Sequence, residues 1–329
     1  MLRFVLRRSL LAVLTLALIS FMTFMLFFAV PADPARTLCG QRCTAEQLEN
    51  VRTSLGLDEP ILSQYGDFMV GIVAGRTIGE GEFAQDCPAP CFGRSFLTNE
   101  NVSEIIGRAL PISASIAIGA WLIQMCISVG LGVLAARKRG TLIDRFSISA
   151  TLIGAALPIY FVGAMMLLIF RYTLEWLPQP SYISPLANPV GWIEGMILPW
   201  LTIALIGFAF DARMTRSQML ETLDEDFIRT SRAKGLKDRV VYWRHALRAS
   251  FTPIATSAGL GLGGLLSGAV VTETVFGLNG LGKMSVQAIT GRNLPIVMAT
   301  VLIAAFFIVI STAVVDMLYA VIDPRVRLS

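Results

Sequence analysis

A charged segment separates two long apolar runs of the chain: Glu221-Thr-Leu-Asp-Glu-Asp-Phe-Ile-Arg-Thr-Ser-Arg-Ala-Lys-Gly235-Leu-Lys-Asp-Arg-Val-Val-Tyr-Trp-Arg-His245-Ala-Leu-Arg248. Between Asp211 and Ser250 the chain has nine Arg or Lys residues and six Asp or Glu residues. One ionised group at the centre of a bilayer already costs about 2.5 to 3.5 kcal/mol. Residues 211–250, called the charged island below, are therefore expected to lie in water.

The distribution of charge within the island predicts a short helix, a turn and a second helix. Acidic side chains favour the N-terminal end of a helix and basic side chains its C-terminal end. A glycine can adopt the left-handed conformation just beyond the helix. Phe227 and Ile228 are expected to be exposed, and such an apolar surface is typical of a partner-binding site. The order is Asp224, Glu225 and Asp226, then Arg229, Arg232 and Lys234, then Gly235, with the second helix from about Asp238.

The island resembles a known motif. Arg229-Thr-Ser-Arg-Ala-Lys-Gly235, followed after nine residues by His245-Ala-Leu-Arg248, is similar to the cytoplasmic EAA loop of ABC-importer permeases. Arg229 stands where most branches carry the Glu that names the motif, which matches the oligopeptide and dipeptide branch. The resemblance implies that the island is the coupling element that binds a cleft of an ATP-hydrolysing subunit. It assigns the coupling to Asp226, Phe227, Ile228, Arg229, Ala233, Lys234, Gly235 and His245.

Composition indicates an integral membrane protein. The chain has 329 residues, of which 54% are hydrophobic and 15% are charged, and its apolar residues are gathered in runs. The net charge of +4 is divided among several loops, so nucleic acid is not an expected partner. His245 is the single histidine, so neither a histidine metal site nor a Ser–His pair within an apolar run can form. An enzyme is therefore not expected, and no cofactor or metal is predicted.

Six apolar runs are long enough to cross a bilayer, which needs about 20 residues. The fourth is expected to end at Phe210, because Asp211 and Arg213 follow it. Loop 137–145 has four basic residues and loop 171–191 has one, which predicts that both termini are cytosolic. The resemblance implies that the membrane is the cell membrane of a prokaryote. The predicted spans are residues 9–30, 110–136, 146–170, 192–210, 251–276 and 294–322.

Three regions follow from these spans: a tail with the first span (1–30), an extracytoplasmic subdomain (31–108) and a five-helix permease core (109–329) that contains the charged island. In the subdomain we expect one helix over 44–56 and a second from Pro60. Two disulfides are favoured there over a metal site or free thiols, with the pairing open, whereas Cys126 lies within a span. The four cysteines are Cys39, Cys43, Cys87 and Cys91.

Two glycine-rich segments have alternative interpretations. Gly277-Leu-Asn-Gly-Leu-Gly-Lys283 is similar to a phosphate-binding loop, but Met284 stands where Ser or Thr is needed, so nucleotide binding is not expected. Glu273, just before it, is expected to have a partner within the protein. Gly259-Leu-Gly-Leu-Gly-Gly264 could line a pathway, but small residues of this kind more often allow helices to pack closely.

The resemblance covers nearly the whole chain and implies an all-α membrane fold, the type I ABC importer permease fold with six transmembrane helices and an extracytoplasmic insertion after the first. It implies one permease half of an ATP-driven peptide importer in membrane lipid. The implied partners are a second homologous permease, two ATP-binding subunits, an extracytoplasmic substrate-binding lipoprotein and a peptide. Alternatives are the same architecture for a nickel chelate, glutathione or an oligosaccharide, or an ion-driven transporter. The span centres have no clear Asp or Glu, which disfavours the ion-driven class.

Overall fold

Helices dominate the structure. The computed structural model describes residues 2–29, 60–78, 85–142 and 156–322, together with residues 44, 144, 149 and 154. In chain order the elements are α1 (Leu2–Ala29), α2 (Ile61–Ala74), β1 (Arg76–Ile78), β2 (Gln85–Cys87), α3 (Val102–Arg137), α4 (Ile159–Met166) with a π-helical continuation (Leu167–Thr173), α5 (Pro189–Leu223), α6 (Asp226–Ala233), α7 (Asp238–Val240), a π-helical segment (Val241–Ala246), α8 (Leu247–Ala249), α9 (Phe251–Leu266), α10 (Val270–Val275), α11 (Leu281–Thr290) and α12 (Leu294–Ile322).

Within the described ranges, four helices are long and apolar enough to cross a membrane: α1, α3, α5 and α12. A fifth span results if α9 is counted with the helical segment before it, Asp238–Ala249, from which it is bent by 61°. The predicted third span is only partly described, and its described helix, Ile159–Thr173, is shorter than the other spans. The described residues therefore confirm a mostly helical membrane architecture but not the count of six spans.

Helix α5 is longer than the predicted fourth span. Helix α5 does not stop at Phe210 but continues to Leu223, so it has 35 residues. At about 1.5 Å per residue this is roughly 50 Å, well beyond the ~30 Å hydrocarbon core of a bilayer. The helix passes through Asp211 because the carboxylate of Asp211 is hydrogen-bonded by two neighbouring helices. One end of α5 therefore extends beyond the lipid.

The predicted fifth span is interrupted. Helix α9 ends at Leu266, and α10 begins at Val270 after a turn. Gly268 in that turn has a φ of +124°, which a residue with a side chain rarely adopts. The glycine-rich part of α9 packs closely as predicted: a Cβ on Gly259 would lie 1.9 Å from the Val315 side chain of α12. Close packing of α9 on α12 therefore requires Gly259.

The region that was predicted to be extracytoplasmic, residues 31–108, is described in part. The predicted helix from Pro60 is confirmed as α2, and it packs on the bundle through Phe68, which is buried with Phe24 of α1 and Met298 of α12. Strands β1 and β2 form a small antiparallel hairpin after it. Most of the helix predicted over 44–56 lies outside the described residues. At the other end of α1, Arg8 forms an ion pair with Asp316 of α12.

The structure describes two of the four cysteines for which disulfides were predicted, Cys87 and Cys91. Cys87 and Cys91 form a disulfide in the structure, and Cys126 on α3 has a free, exposed thiol. Cys39 and Cys43 lie outside the described residues. We expect Cys87 and Cys91 to resist alkylation in denatured, unreduced membranes, whereas Cys126 reacts. The membranes are treated with one alkylating label, then reduced, and then treated with a second label, and mass spectrometry shows which label each cysteine carries. The first label on Cys87 or Cys91 would contradict the disulfide.

Candidate functional site

The charged island folds as a helical elbow, defined here as residues 224–250. Helix α6 begins at Asp226, directly after the end of α5, and its last turn closes where the N–H of Gly235 donates to the carbonyl of Arg232 over 2.9 Å. Gly235 has a φ of +75°, and the next helix begins at Asp238. The short helix, the left-handed glycine and the second helix are confirmed. These features depend on neighbours in sequence, so the sequence is sufficient to predict them.

The expectation that Ile228 is exposed is wrong. Ile228 is 0% exposed, because it packs into a small core made by the ends of α3 and α5 and the second half of the elbow. Consecutive residues on a helix point about 100° apart, so Phe227 can face outward while Ile228 faces inward. The other buried members of this core are Val133, Ala136, Met219, Val241 and Ala246. Ile228 therefore attaches α6 to the long helices.

The outer face of the elbow remains open. Phe227 is 45% exposed and Trp243 is also 45% exposed, within a largely basic surface. Arg229 makes an ion pair with Asp226 over 3.3 Å, but both side chains are solvent-exposed, so it stabilises the helix little. The predicted coupling residues Ala233 and Lys234 are exposed as well, whereas His245 is half-buried in the π-helical segment. This face combines aromatic groups with positive charge.

Polar contacts join the elbow to α5, and α5 to the segment that follows α3. Ser250, at the end of the elbow, is hydrogen-bonded to Thr222 of α5 over 2.7 Å. Asp144, in the segment that follows α3, accepts from Nε of Arg216 over 2.6 Å and from Nη2 over 2.9 Å. The hydrogen bond from Arg216 holds the pKa of the Asp144 carboxyl below its usual value, so the pair stays charged at neutral pH. The elbow, α5 and the segment after α3 are therefore connected in series by polar contacts.

The loop that is similar to a phosphate-binding loop is held by hydrogen bonds within the protein. The Glu273 carboxylate on α10 is 0% exposed and accepts from the Ser113 hydroxyl and from the Lys283 backbone N–H, both over 2.7 Å. The Lys283 ammonium donates to the side chain of Asn279 over 2.8 Å. The predicted protein partner of Glu273 is confirmed, and these contacts join α3, α10 and α11.

A cavity lies between α3, α5 and α9, and the sequence did not reveal it. Its volume is about 560 Å³, and it is open on one side. The Asp211 carboxylate in its wall accepts from Nε2 of Gln124 over 2.6 Å and from the Ser257 hydroxyl over 2.9 Å. The sequence contained one signal, an acidic residue next to an apolar run, but this was interpreted as the end of a span.

Two family models match the chain. The N-terminal part of the binding-protein-dependent transport system membrane component matches residues 1–117, and the binding-protein-dependent transport system inner membrane component matches residues 128–328.

Relatives match over nearly their whole length. A Brucella abortus protein whose name describes a peptide transport system permease is 36% identical, over 98% of each chain. The di/tripeptide transport system permease of Pseudomonas aeruginosa is 33% identical, over 99% of each chain. The oligopeptide transport system permease of Salmonella typhimurium is 32% identical, over 99% of this chain and 100% of its own.

A solved structure is similar in fold. A chain of the MetNI methionine ABC transporter in an inward-facing conformation matches with a TM-score of 0.54 and 17% identity, over 67% of this chain and 97% of its own. The fold is therefore that of the type I ABC importers. Together with its apolar spans and the family models, this makes the chain a multi-pass inner-membrane protein, and it belongs to the family of binding-protein-dependent transport system inner membrane components.

Proposed function

We propose that the protein is one permease half of an ATP-driven peptide importer, with both termini in the cytosol. A second homologous permease completes the pathway, two separate ATP-binding subunits hydrolyse ATP, and an extracytoplasmic substrate-binding lipoprotein delivers the peptide. Peptides are proposed because the names of the relatives describe peptide, di/tripeptide or oligopeptide transport. Residues 31–108 then form the extracytoplasmic subdomain and residues 109–329 the permease core.

The observation that carries the coupling mechanism is that the two faces of α6 have different surroundings. Phe227 is available to a partner, whereas Ile228, one residue later, is buried against α3 and α5. A partner that moves Phe227 must therefore move the ends of both long helices. Closure of the ATP-binding subunits would tilt α3 and α5, and the pathway would alternate between an outside-open and an inside-open state.

The chain itself has a non-catalytic role in this proposal. Its family is the membrane component of a transport system. The described ranges contain no group of three His, Cys, Asp or Glu side chains that could hold a metal ion. The chain supplies the pathway and the elbow, and its partners supply the hydrolysis.

Peptide import is tested by reconstitution. The protein, its second permease, the two ATP-binding subunits and the binding protein are placed in proteoliposomes, and uptake of a labelled tripeptide is measured with and without ATP. We expect uptake that requires ATP. ATP-dependent uptake of a nickel chelate, glutathione or an oligosaccharide, without uptake of any peptide, would overturn the assignment of the substrate.

The docking role of Phe227 is tested by Phe227→Ala. Truncation of an aromatic side chain at an interface should remove about 1 to 3 kcal/mol of docking free energy. We expect the purified variant to bind the ATP-binding subunits more weakly and to lose substrate stimulation of ATP hydrolysis. Phe227→Leu, which keeps an apolar side chain, should retain most of the binding. Unchanged binding by the Ala variant would exclude Phe227 from the interface.

A further inference from the structure

The cavity between α3, α5 and α9 has the size of a site for a small solute. Ligand sites usually enclose about 300 to 1,000 Å³, and this cavity has about 560 Å³. Its mouth carries exposed apolar side chains, Phe210 and Leu260, which are suited to contact with a second permease. Its lining residues on the three helices include Trp121 and Gln124 of α3, Asp211 and Met214 of α5, and Ser257 and Gly261 of α9.

Asp211 supplies the negative charge of this cavity. Its side chain is largely buried, since the residue is 7% exposed, and no Lys or Arg among the described residues forms an ion pair with it. Its two side-chain donors, Gln124 and Ser257, are neutral. A carboxylate can accept about four hydrogen bonds, so Asp211 can accept further hydrogen bonds from a ligand. A buried carboxylate without a cation is costly, and a neutral Asn could keep both side-chain contacts if the Gln124 amide turned over to accept from its Nδ2.

The surrounding helices hold this carboxylate in place. A Cβ on Gly207 would lie 2.3 Å from Oε1 of Gln124, so the absence of a side chain there leaves room for the Gln124 amide to reach Asp211. Trp121, one turn before Gln124, has its indole N–H fixed by the carbonyl of Ala258 over 2.8 Å. The carboxylate is therefore positioned from α3 and α9, and an aromatic ring, a group that attracts cations, lines the same cavity.

We infer that Asp211 binds the cationic group of the solute as it passes through this cavity. The chemistry fits an ammonium or guanidinium group, because these donate hydrogen bonds to a single carboxylate. A divalent metal ion needs several oxygen or nitrogen ligands, and the described residues provide no cluster of three acidic, His or Cys side chains. The inference rests on the proposed import of peptides. The cation is then either the amino terminus of the peptide or a basic side chain.

The charge of Asp211 is tested with Asp211→Asn, which keeps the shape and the acceptor oxygen. Uptake is compared for three tripeptides. The first has uncharged side chains and a free amino terminus, the second is its N-acetylated form, and the third is an N-acetylated form that contains Lys. The first and the third carry a cationic group and are called the cationic peptides. Loss of a hydrogen bond to a charged group should lower uptake of the cationic peptides about tenfold. Uptake of the acetylated peptide without Lys, which has no cationic group, should change less than about twofold. If uptake falls only for the peptide with a free amino terminus, the cation is the amino terminus. If uptake falls only for the Lys peptide, the cation is the basic side chain.

Glu194→Gln is the matched control, because Glu194 is an exposed carboxylate on the same helix, about 25 Å from Asp211 along the axis. Glu194→Gln should leave the relative uptake of the three peptides unchanged. A second measurement does not depend on which peptides the binding protein delivers. In a Cys126→Ser background, Met214→Cys, which lines the same cavity and leaves Asp211 in place, is treated with a neutral thiol reagent, and a saturating free tripeptide should slow the reaction several-fold during turnover.

Two results would overturn the inference. One is that Asp211→Asn lowers the uptake of peptides with and without a cationic group by the same factor, or not at all. The other is that the peptide does not protect the introduced thiol. Failure of the wild-type complex to transport any peptide would instead overturn the proposed function, so the two failures are distinguishable.

Discussion

Gly235→Val should nearly abolish peptide uptake and the stimulation of ATP hydrolysis by substrate, while the chain still inserts into the membrane. Gly235 has a φ of +75°, and among the described residues nothing lies within 4 Å of the position that a Cβ would occupy. The effect must therefore come from the backbone and not from a clash. A left-handed conformation costs roughly 1 to 2 kcal/mol for an ordinary residue, and it is a genuine outlier for a β-branched one.

A series at the same position makes this result specific. Asn tolerates the left-handed region well, so Gly235→Asn should retain most of the uptake, and Gly235→Ala should be intermediate. Uptake and ATP hydrolysis are measured in proteoliposomes, with the amount of inserted protein as the control. If Gly235→Val and Gly235→Asn were equally active, the conformation at the end of α6 would have no part in coupling.

Ile228→Ala should separate the elbow from the long helices. Truncation of a fully buried Ile to Ala usually costs about 2 to 5 kcal/mol, and the core around Ile228 is small, so the elbow has few other apolar contacts to hold it. We expect the isolated variant to be cleaved faster by trypsin within residues 229–248, where the chain is rich in Arg and Lys. In the full complex, ATP hydrolysis should become uncoupled from uptake.

The neighbouring residue is the control for this prediction. Phe227→Ala should weaken binding of the ATP-binding subunits but leave the protease resistance of the isolated chain unchanged, because Phe227 lies on the open face. Ile228→Val, which removes a single methylene, should cost only about 0.5 to 1.5 kcal/mol and keep the coupling. Equal protease resistance of Ile228→Ala and the wild type would show that the small core does not hold the elbow.

The exposure of Phe227 was predicted correctly from the sequence, whereas the burial of Ile228 was not predicted. The sequence predicted a short helix with both side chains outward, and the structure contains that helix with one of them inward. The difference arises because the core around Ile228 is built from Val133 and Met219, which are distant in sequence. No periodicity within an eight-residue helix could reveal that α3 and α5 extend far enough to cover it.

The candidate cavity was missed for the same reason. Asp211 is separated from Gln124 by 87 residues and from Ser257 by 46, so the groups that allow its burial are invisible near it in the sequence. The prediction for Glu273 was better, because only its need for a partner was predicted and not the partner's identity. That partner, Ser113, is 160 residues away.

Features that depend on a few adjacent residues or on a long uniform run could be predicted from the amino-acid sequence alone. These are the apolar helices α1, α3 and α12, the short helix that stops at Gly235, and the new helix at Asp238, since hydrophobic length, terminal charge and the freedom of glycine act locally. Three features depend on packing between distant segments: which face of α6 is buried, the continuation of α5 through Asp211, and the set of helices that enclose the cavity. Burial of a side chain or a charge is favourable only when its partners are brought together by packing, and those partners come from distant parts of the chain.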